Sequence, residues 1–205
     1  MQDSDLNNNE VINILTRLDK SLIEKLELNK ENKKLGPLWS SLIFLSKTKK
    51  PKKFLEIGCQ SGISSSMVAL SSINTELFLF DFPNGGSGGF EGSQYFLEKH
   101  MESFAKNRYQ ITYGESQKNK DVIIENGPYD LINIDGDHSY EGAKADWEIV
   151  KKCISKNSIV LLDDITNQHH TYLLDLFNEM LNENLHSDFY INKNETGVGV
   201  LFIKE

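Results

Sequence analysis

Three short runs bring chemically capable side chains together: Glu56-Ile57-Gly58-Cys59-Gln60-Ser61-Gly62-Ile63-Ser64, Asp135-Gly136-Asp137-His138 and Asp163-Asp164. In the first, the apolar stretch 54–57 leads into a glycine turn and then into small polar residues. Gly58 allows a ligand to approach the backbone, and Gly62 allows a following helix to pack on the strand. The spacing is not the Gly-x-Gly-x-x-Gly that cradles a pyrophosphate. Glu56, just before the turn, would repel a phosphate and suits a cationic, amine-bearing ligand. Glu56, Gly58, Gln60, Gly62 and Ser64 are the expected ligand contacts. Asp81 ends the next apolar run, where a carboxylate can accept hydrogen bonds from both hydroxyls of a ribose.

The other two runs are rich in acids. If 131–134 and 159–162 are adjacent parallel strands, roughly 5 Å apart, Asp135, Asp163 and Asp164 emerge side by side. Three such carboxylates repel one another and shift their pKa values unless a cation lies between them. A hard, oxygen-ligated ion fits that description: Mg²⁺, with Mn²⁺ or Ca²⁺ as substitutes. The competing reading makes the acids N-caps of the helices that follow. His138 and Asp137 are the candidate proton acceptors, histidine because its pKa lies near neutrality. His169 and His170 read as a surface turn, and His100 and His186 carry no signal.

The elements that position these residues alternate. Apolar residues at helical spacing predict a helix over 10–28, and Gly36-Pro37 opens another. Strands are expected at 54–57, 77–80, 109–113, 131–134 and 159–162, with helices at 64–70, 93–106, 121–125, 140–154 and 171–181. Two last strands, near 189–191 and 198–203, are too close in sequence for a crossover helix and must form an antiparallel hairpin. The expected fold is α/β: a Rossmann-like, mostly parallel seven-stranded sheet with helices on both faces. The 205 residues suit one domain, with 1–50 as a helical lid and 51–205 as the ligand-binding core. The loop 84–92 is rich in glycine and has no assigned role.

Composition narrows the partners. A formal charge of −8 disfavours nucleic acid, and no apolar run is long enough to span a membrane. The basic run 47–53 reads as a solvated helix end. Two isolated cysteines, Cys59 and Cys153, give no disulfide framework and fit a reducing cytoplasm. A small-molecule ligand is the expected partner, and a homo-oligomer is compatible with the sequence.

On these runs the chain resembles class I S-adenosylmethionine-dependent O-methyltransferases. It is similar to the small metal-dependent branch that includes catechol, caffeoyl-coenzyme A and macrolide or aminocoumarin sugar enzymes. The resemblance covers nearly the whole chain, and the segment Asp135-Gly136-Asp137-His138-Ser139-Tyr140-Glu141-Gly142 is similar to a stretch found in bacterial members. It implies that Glu56, Gly58 and Ser64 hold the methionine part of the cofactor and Asp81 its ribose. It places the Gly114-Glu115-Ser116-Gln117 run beside the adenine. Asp135 matches the first metal ligand, near the cofactor amine, and Asp163 and Asp164 match the other two. The catechol type has a lysine base where this chain has His138; the sugar type has an acid at the position of Asp137. The resemblance implies methyl transfer to a hydroxyl of a sugar, a phenol or another small diol. A non-catalytic S-adenosylmethionine-binding module and a nucleotide-dependent oxidoreductase or hydroxylase are the rival functions.

Overall fold

The structure is a computed structural model, and it describes residues 8–25, 37–83, 90–183, 188–192 and 196–204. His186 and most of the glycine-rich loop, 84–89, lie outside these residues.

The buried strands form on short apolar runs, and the sheet sorts their side chains by the period of two. β1 (Lys53–Ile57) pairs in parallel with β2 (Glu76–Asp81) and β4 (Leu131–Ile134); β3 (Tyr109–Tyr113) lies beyond β2 and β5 (Ile159–Asp163) beyond β4. β7 (Val198–Phe202) adds antiparallel to β5, and β6 (Asp188–Asn192) antiparallel to β7. The order is β3-β2-β1-β4-β5-β7-β6, so the winding reverses between β1 and β4. In such sheets ligands lie in the crevice beyond the strand ends at that reversal. Register sets what reaches the crevice. Ile57 is level with Phe80 and with Ile134, and Ile134 with Leu162. The next residues, Gly58, Asp81, Asp135 and Asp163, therefore leave the sheet along one line.

Alternation splits the core into two layers. Phe54, Leu77, Leu79 and Leu161 face α1 (Asn8–Leu15), α3 (Pro37–Lys49), α4 (Ile63–Ser71) and α5 (Ser93–Phe104). Leu55, Phe80, Ile132 and Leu162 face α6 (Lys120–Asn126), α7 (Tyr140–Val150) and α8 (Tyr172–Glu183). Trp147 of α7 is buried and donates its indole N–H to Glu183 at 2.9 Å. Among the described residues no helix is long and apolar enough to cross a membrane.

The N-terminal segment differs from the single helix expected. It is two helices, α1 and α2 (Lys20–Lys25), parted at 16–19. Asp19 causes the break: its Oδ1 accepts from the Ser21 amide at 2.8 Å and so restarts the helix as a cap. Lys99 binds the other oxygen of Asp19 at 2.5 Å. Val11, Leu15, Leu18, Leu22 and Leu42 are buried in one cluster with Met67 of α4, so these helices form part of the main core.

Gly199 in β7 shows how tightly α8 sits on the sheet. A Cβ there would lie 2.6 Å from the Phe177 ring, and Phe177 is fully buried. Gly199→Ala is expected to destabilise the fold by about 1–3 kcal/mol through overpacking. Phe177→Ala should cost about 3–5 kcal/mol by leaving a cavity. Urea unfolding of the double variant should show a loss smaller than the sum, because the truncated ring makes room for the added methyl.

Candidate active site

The crevice is built from the glycine turn outward. Gly58 has φ 89°, and its amide donates to the Phe80 carbonyl at 2.8 Å. A Cβ on Gly58 would lie 2.0 Å from the carbonyl oxygen of Asp135, so a side chain here cannot coexist with the end of β4. The turn continues through Gln60, also at positive φ, 48°. Asp81 clamps it from the next strand: Oδ1 accepts from the amides of Cys59 at 3.0 Å and Gln60 at 3.1 Å. Burial raises the Asp81 carboxyl above its ordinary range, with the charge of Asp135 adding to the effect.

His100 supports the same turn from α5. Its Nδ1 lies 3.0 Å from the Ser61 carbonyl, and its Nε2 accepts from the Asp19 amide at 3.2 Å. One ring nitrogen donates and the other accepts, which requires the neutral ring; burial lowers its pKa to match. The sequence carried no hint of this role, because Asp19, Ser61 and His100 come from three distant segments.

Glu56 stands beneath the turn and is fully buried. It precedes the edge of β1, and alternation turns its side chain towards α4. The hydroxyl of Ser65 donates to its Oε2, the Asn133 amide donates to Oε1 at 2.8 Å, and Ser64 also bonds to it. Desolvation pushes its carboxyl up to about 7. Glu56 and Ser64 are thus bonded to each other under the crevice, and the half-buried carboxylate beyond the strand edge is that of Asp135.

Across the crevice, Gly114 donates to the Asp81 carbonyl at 2.9 Å, which ties the 114–117 segment to the end of β2. Ser116 is buried and its hydroxyl donates to Asp146; Gln117 donates to the same oxygen at 3.3 Å. Desolvation raises Asp146 to about 6. Glu115 is exposed and pairs with Lys118 at 2.8 Å. Asp146 was not among the expected site residues, since its place within a helix gives no signal of the loop it holds.

The acids of β4 and β5 meet a cation supplied by the chain itself. His138 Nε2 lies 3.1 Å from Asp135 Oδ1, and its Nδ1 lies 3.2 Å from Asp164 Oδ2. Burial alone would lower the pKa of His138; the bonds to the two carboxylates outweigh it and raise the imidazole to about 10. Asp164, at φ 59°, also bonds to Thr196 and to Asn167, the latter at 3.0 Å. Its burial is outweighed by these bonds, and its pKa falls below the usual range. Asp163 is raised well above its ordinary value, by burial first and then by the charges of Asp135 and Asp164; its Oδ1 is buried without a hydrogen-bond partner.

This arrangement differs from the three-carboxylate site expected. Among the described residues, the group whose ligand atoms all lie within 4.8 Å of one another is His138, Asp164 and His170. The His138 ring stands between Asp135 and Asp164 and keeps them from closing on a common point with Asp163. Asp137 points elsewhere: Oδ1 accepts from the Ser139 amide at 2.8 Å, and the carboxylate lies against Gly142 in the first turn of α7. His170, read as part of a surface turn, packs edge-on to His138 with ring centroids 5.1 Å apart.

Residues 55–165, more than half of the chain, match the profile of a family described as a methyltransferase domain. The chain belongs to this methyltransferase family. The matched region takes in Glu56, Asp81, Asp135, His138 and Asp164 and stops short of His170. The methyltransferase is 27% identical over 132 residues to the uncharacterized protein y4gI of Sinorhizobium fredii, a match spanning 60% of this chain and 14% of that protein. Its fold is similar to a candidate caffeoyl-CoA O-methyltransferase from Staphylococcus aureus (TM-score 0.71, 16% identity, 97% of this chain and 100% of that one). It is also similar to an O-methyltransferase from Bacillus cereus in complex with SAH (0.66, 15%, 95% and 90%). TomG from Streptomyces achromogenes, an O-methyltransferase of tomaymycin synthesis in complex with SAM, gives 0.67 at 14% identity with both chains fully covered. At these identities the likeness is one of fold.

Glu56 gives the methyltransferase a definite pH response. Its folded pKa, about 7, stands above the ordinary 4.5, so folding favours the protonated form. The stability this contributes is complete below pH 4.5 and is lost as pH rises through 7. Glu56→Gln keeps the shape and removes the titration. Its unfolding free energy should equal or fall slightly below wild type at pH 5 and exceed it at pH 8, with a change between the two pH values on the order of 2–3 kcal/mol, and its Tm should follow. Parallel melting curves at the two pH values would contradict the assigned shift.

Proposed function

We propose that the chain transfers the methyl group of S-adenosylmethionine to a hydroxyl oxygen of a small molecule, in the class of sugars, phenols and other diols. The observation that carries this reading is the acid-lined crevice at the sheet reversal, where Asp81 and Asp135 flank a turn open only to a glycine backbone. A cofactor bearing both a sulfonium and an ammonium group is a cationic occupant that relieves the repulsion between these acids.

The roles follow from position along the sheet. Asp81 has Oδ1 engaged by the turn amides and also takes a bond from the Phe82 amide; its carboxylate, fixed at the strand end, is the group that would receive the ribose hydroxyls. Gly58 lets the methionine portion lie against the backbone. Asp135 receives the ammonium, with the buried carboxyl of Glu56 behind it. Ser116 and Gln117, fixed by Asp146, border the adenine. The cofactor then covers β1 and β2, and the acceptor lies towards β5, beside His138.

In the reaction the acceptor oxygen bonds to the methyl carbon while the carbon–sulfur bond breaks. Sulfur takes the electron pair, leaving S-adenosylhomocysteine, and the hydroxyl proton passes to His138. The sulfonium methyl is already activated, so the protein mainly orients the partners and removes a proton. In the cofactor-free site His138 is an imidazolium between Asp135 and Asp164; an ammonium at Asp135 weakens that hold, the ring gives one proton to solvent, and the freed nitrogen takes the hydroxyl proton. Asp137, folded against the start of α7, serves the helix and not the proton.

The resemblance also implies Mg²⁺ on Asp135, Asp163 and Asp164. The residues do not fit that ion. His138 bridges two of the three carboxylates with distances of 3.1 and 3.2 Å, and the compact ligand group contains two imidazoles, which Mg²⁺ does not favour.

The test is transfer of a labelled methyl group from the cofactor into a panel of hydroxylated small molecules, followed by assignment of the methylated atom. With an acceptor in hand, His138→Gln should lower kcat by about 10²-fold or more. Its affinity for S-adenosylhomocysteine should stay within a few-fold of wild type. An unchanged kcat would take the proton-accepting role from His138. Tight cofactor binding with no transfer to any member of the panel would favour a binding module.

A further inference from the structure

We infer that His138, Asp164 and His170 form a binding site for a nitrogen-preferring divalent transition ion of the Zn²⁺, Co²⁺ or Fe²⁺ class. The inference goes beyond methyl transfer and does not depend on it, since it stands on the donor set alone. Two histidines and one carboxylate supply three protein ligands from two segments, with ligand atoms all within 4.8 Å of one another. Ligands on one such ion, with bonds of roughly 2.0–2.2 Å, stand roughly 3–3.5 Å apart. The 3.2 Å between His138 Nδ1 and Asp164 Oδ2 matches that edge.

The surroundings are those of a ligand site in a second respect. A metal-binding imidazole usually has its other nitrogen held by a carboxylate or another polar group, which fixes the ring and its tautomer. His138 has Nε2 against Asp135 Oδ1 at 3.1 Å, which leaves Nδ1 facing Asp164. His170 has Nδ1 against the Tyr172 hydroxyl at 3.0 Å, which leaves Nε2 for the ion. Asn167 holds the ligating oxygen of Asp164 at 3.0 Å. An independent observation comes from Asp163. Its Oδ1, on the residue before Asp164, is buried without a hydrogen-bond partner, so the end of β5 holds a polar atom that the protein itself leaves unmatched. Two imidazoles set the preference: nitrogen donors suit Zn²⁺, Co²⁺, Ni²⁺ and Fe²⁺, and Mg²⁺ selects oxygen.

One consequence concerns His138. An ion on Nδ1 occupies the nitrogen shared with Asp164, so the ion-bound state and the proton-accepting state of this ring exclude one another. The chain thus has a place where a transition ion competes with its own acid–base chemistry.

The experiment is titration of the full chain with Co²⁺, read by the visible absorption of nitrogen-ligated cobalt, alongside calorimetry with Zn²⁺ and Mg²⁺. One ion per chain is expected, with cobalt bands that Zn²⁺ abolishes and equimolar Mg²⁺ leaves in place. His170→Ala should weaken Co²⁺ binding by at least the 10- to 100-fold that loss of an outer partner typically costs. Tyr172→Phe, which keeps the ligand and loses its support, should weaken it by a smaller factor. A circular dichroism spectrum matching wild type establishes that His170→Ala is folded; Asp164→Asn serves if it is not. Absence of cobalt bands in wild type would overturn the inference, as would wild-type affinity in His170→Ala or displacement of Co²⁺ by equimolar Mg²⁺. Failure to bind S-adenosylhomocysteine would count against the methyltransferase reading and leave the ion site standing.

Discussion

Mutual repulsion among carboxylates at the ends of β1, β2, β4 and β5 is the constraint on which the rest of the site depends. Burial first, with the charge of Asp135 adding to it, weakens the acidity of Glu56, Asp81 and Asp163. Parallel pairing in register makes this unavoidable: strands that end level deliver their next residues to one line. Only positive charge, protonation or donated hydrogen bonds can hold such a set together. The protein uses all three. His138 supplies the charge, Asp163 is held towards its protonated form, and Ser64, Ser65 and Asn133 supply donors to Glu56. The cofactor proposed above, with its sulfonium and ammonium groups, would add positive charge to that balance.

Positioning falls to residues that touch no ligand. His100 fixes the backbone of the glycine turn in a neutral tautomer, and Asp146 anchors the 114–117 segment through Ser116. Both are buried polar groups, and each holds its loop by bonds that cannot be exchanged for water without cost. Gly58 contributes by having no side chain at all, since the carbonyl of Asp135 fills the space a Cβ would take. The crevice is therefore braced by side-chain hydrogen bonds at β1 and β2. Its β5 side is built on loop residues 164–170, where Asp164 and His170 reside.

The sheet was legible in the sequence because its signals are local. Apolar runs ending in Gly58, Asp81, Asp135 and Asp163 mark strands and strand ends, and the short spacing of the last two runs demanded the hairpin seen as β6 and β7. The break at Asp19 was less visible, since it depends on a cap that competes with a continuous apolar stripe. In the site, residue types were legible and orientations were not. That Asp135, Asp163, Asp164 and His138 lie close together follows from strand order. That His138 inserts between two of the acids, that Asp137 turns to α7, and that Glu56 lies beneath the edge depend on χ angles and on where alternation falls. His100, Asp146 and His170 were silent because their partners are dozens of residues away or lie across a loop.

The account rests most heavily on a cationic cofactor held at the sheet reversal between Gly58, Asp81 and Asp135. Calorimetric titration of S-adenosylhomocysteine into wild type and into Asp81→Ala tests it directly, with circular dichroism to establish that both are folded. The expected result is a single saturable site in wild type and a marked loss of affinity in Asp81→Ala. A folded wild type that binds no S-adenosylhomocysteine, or an Asp81→Ala variant that binds it as tightly, would contradict the account.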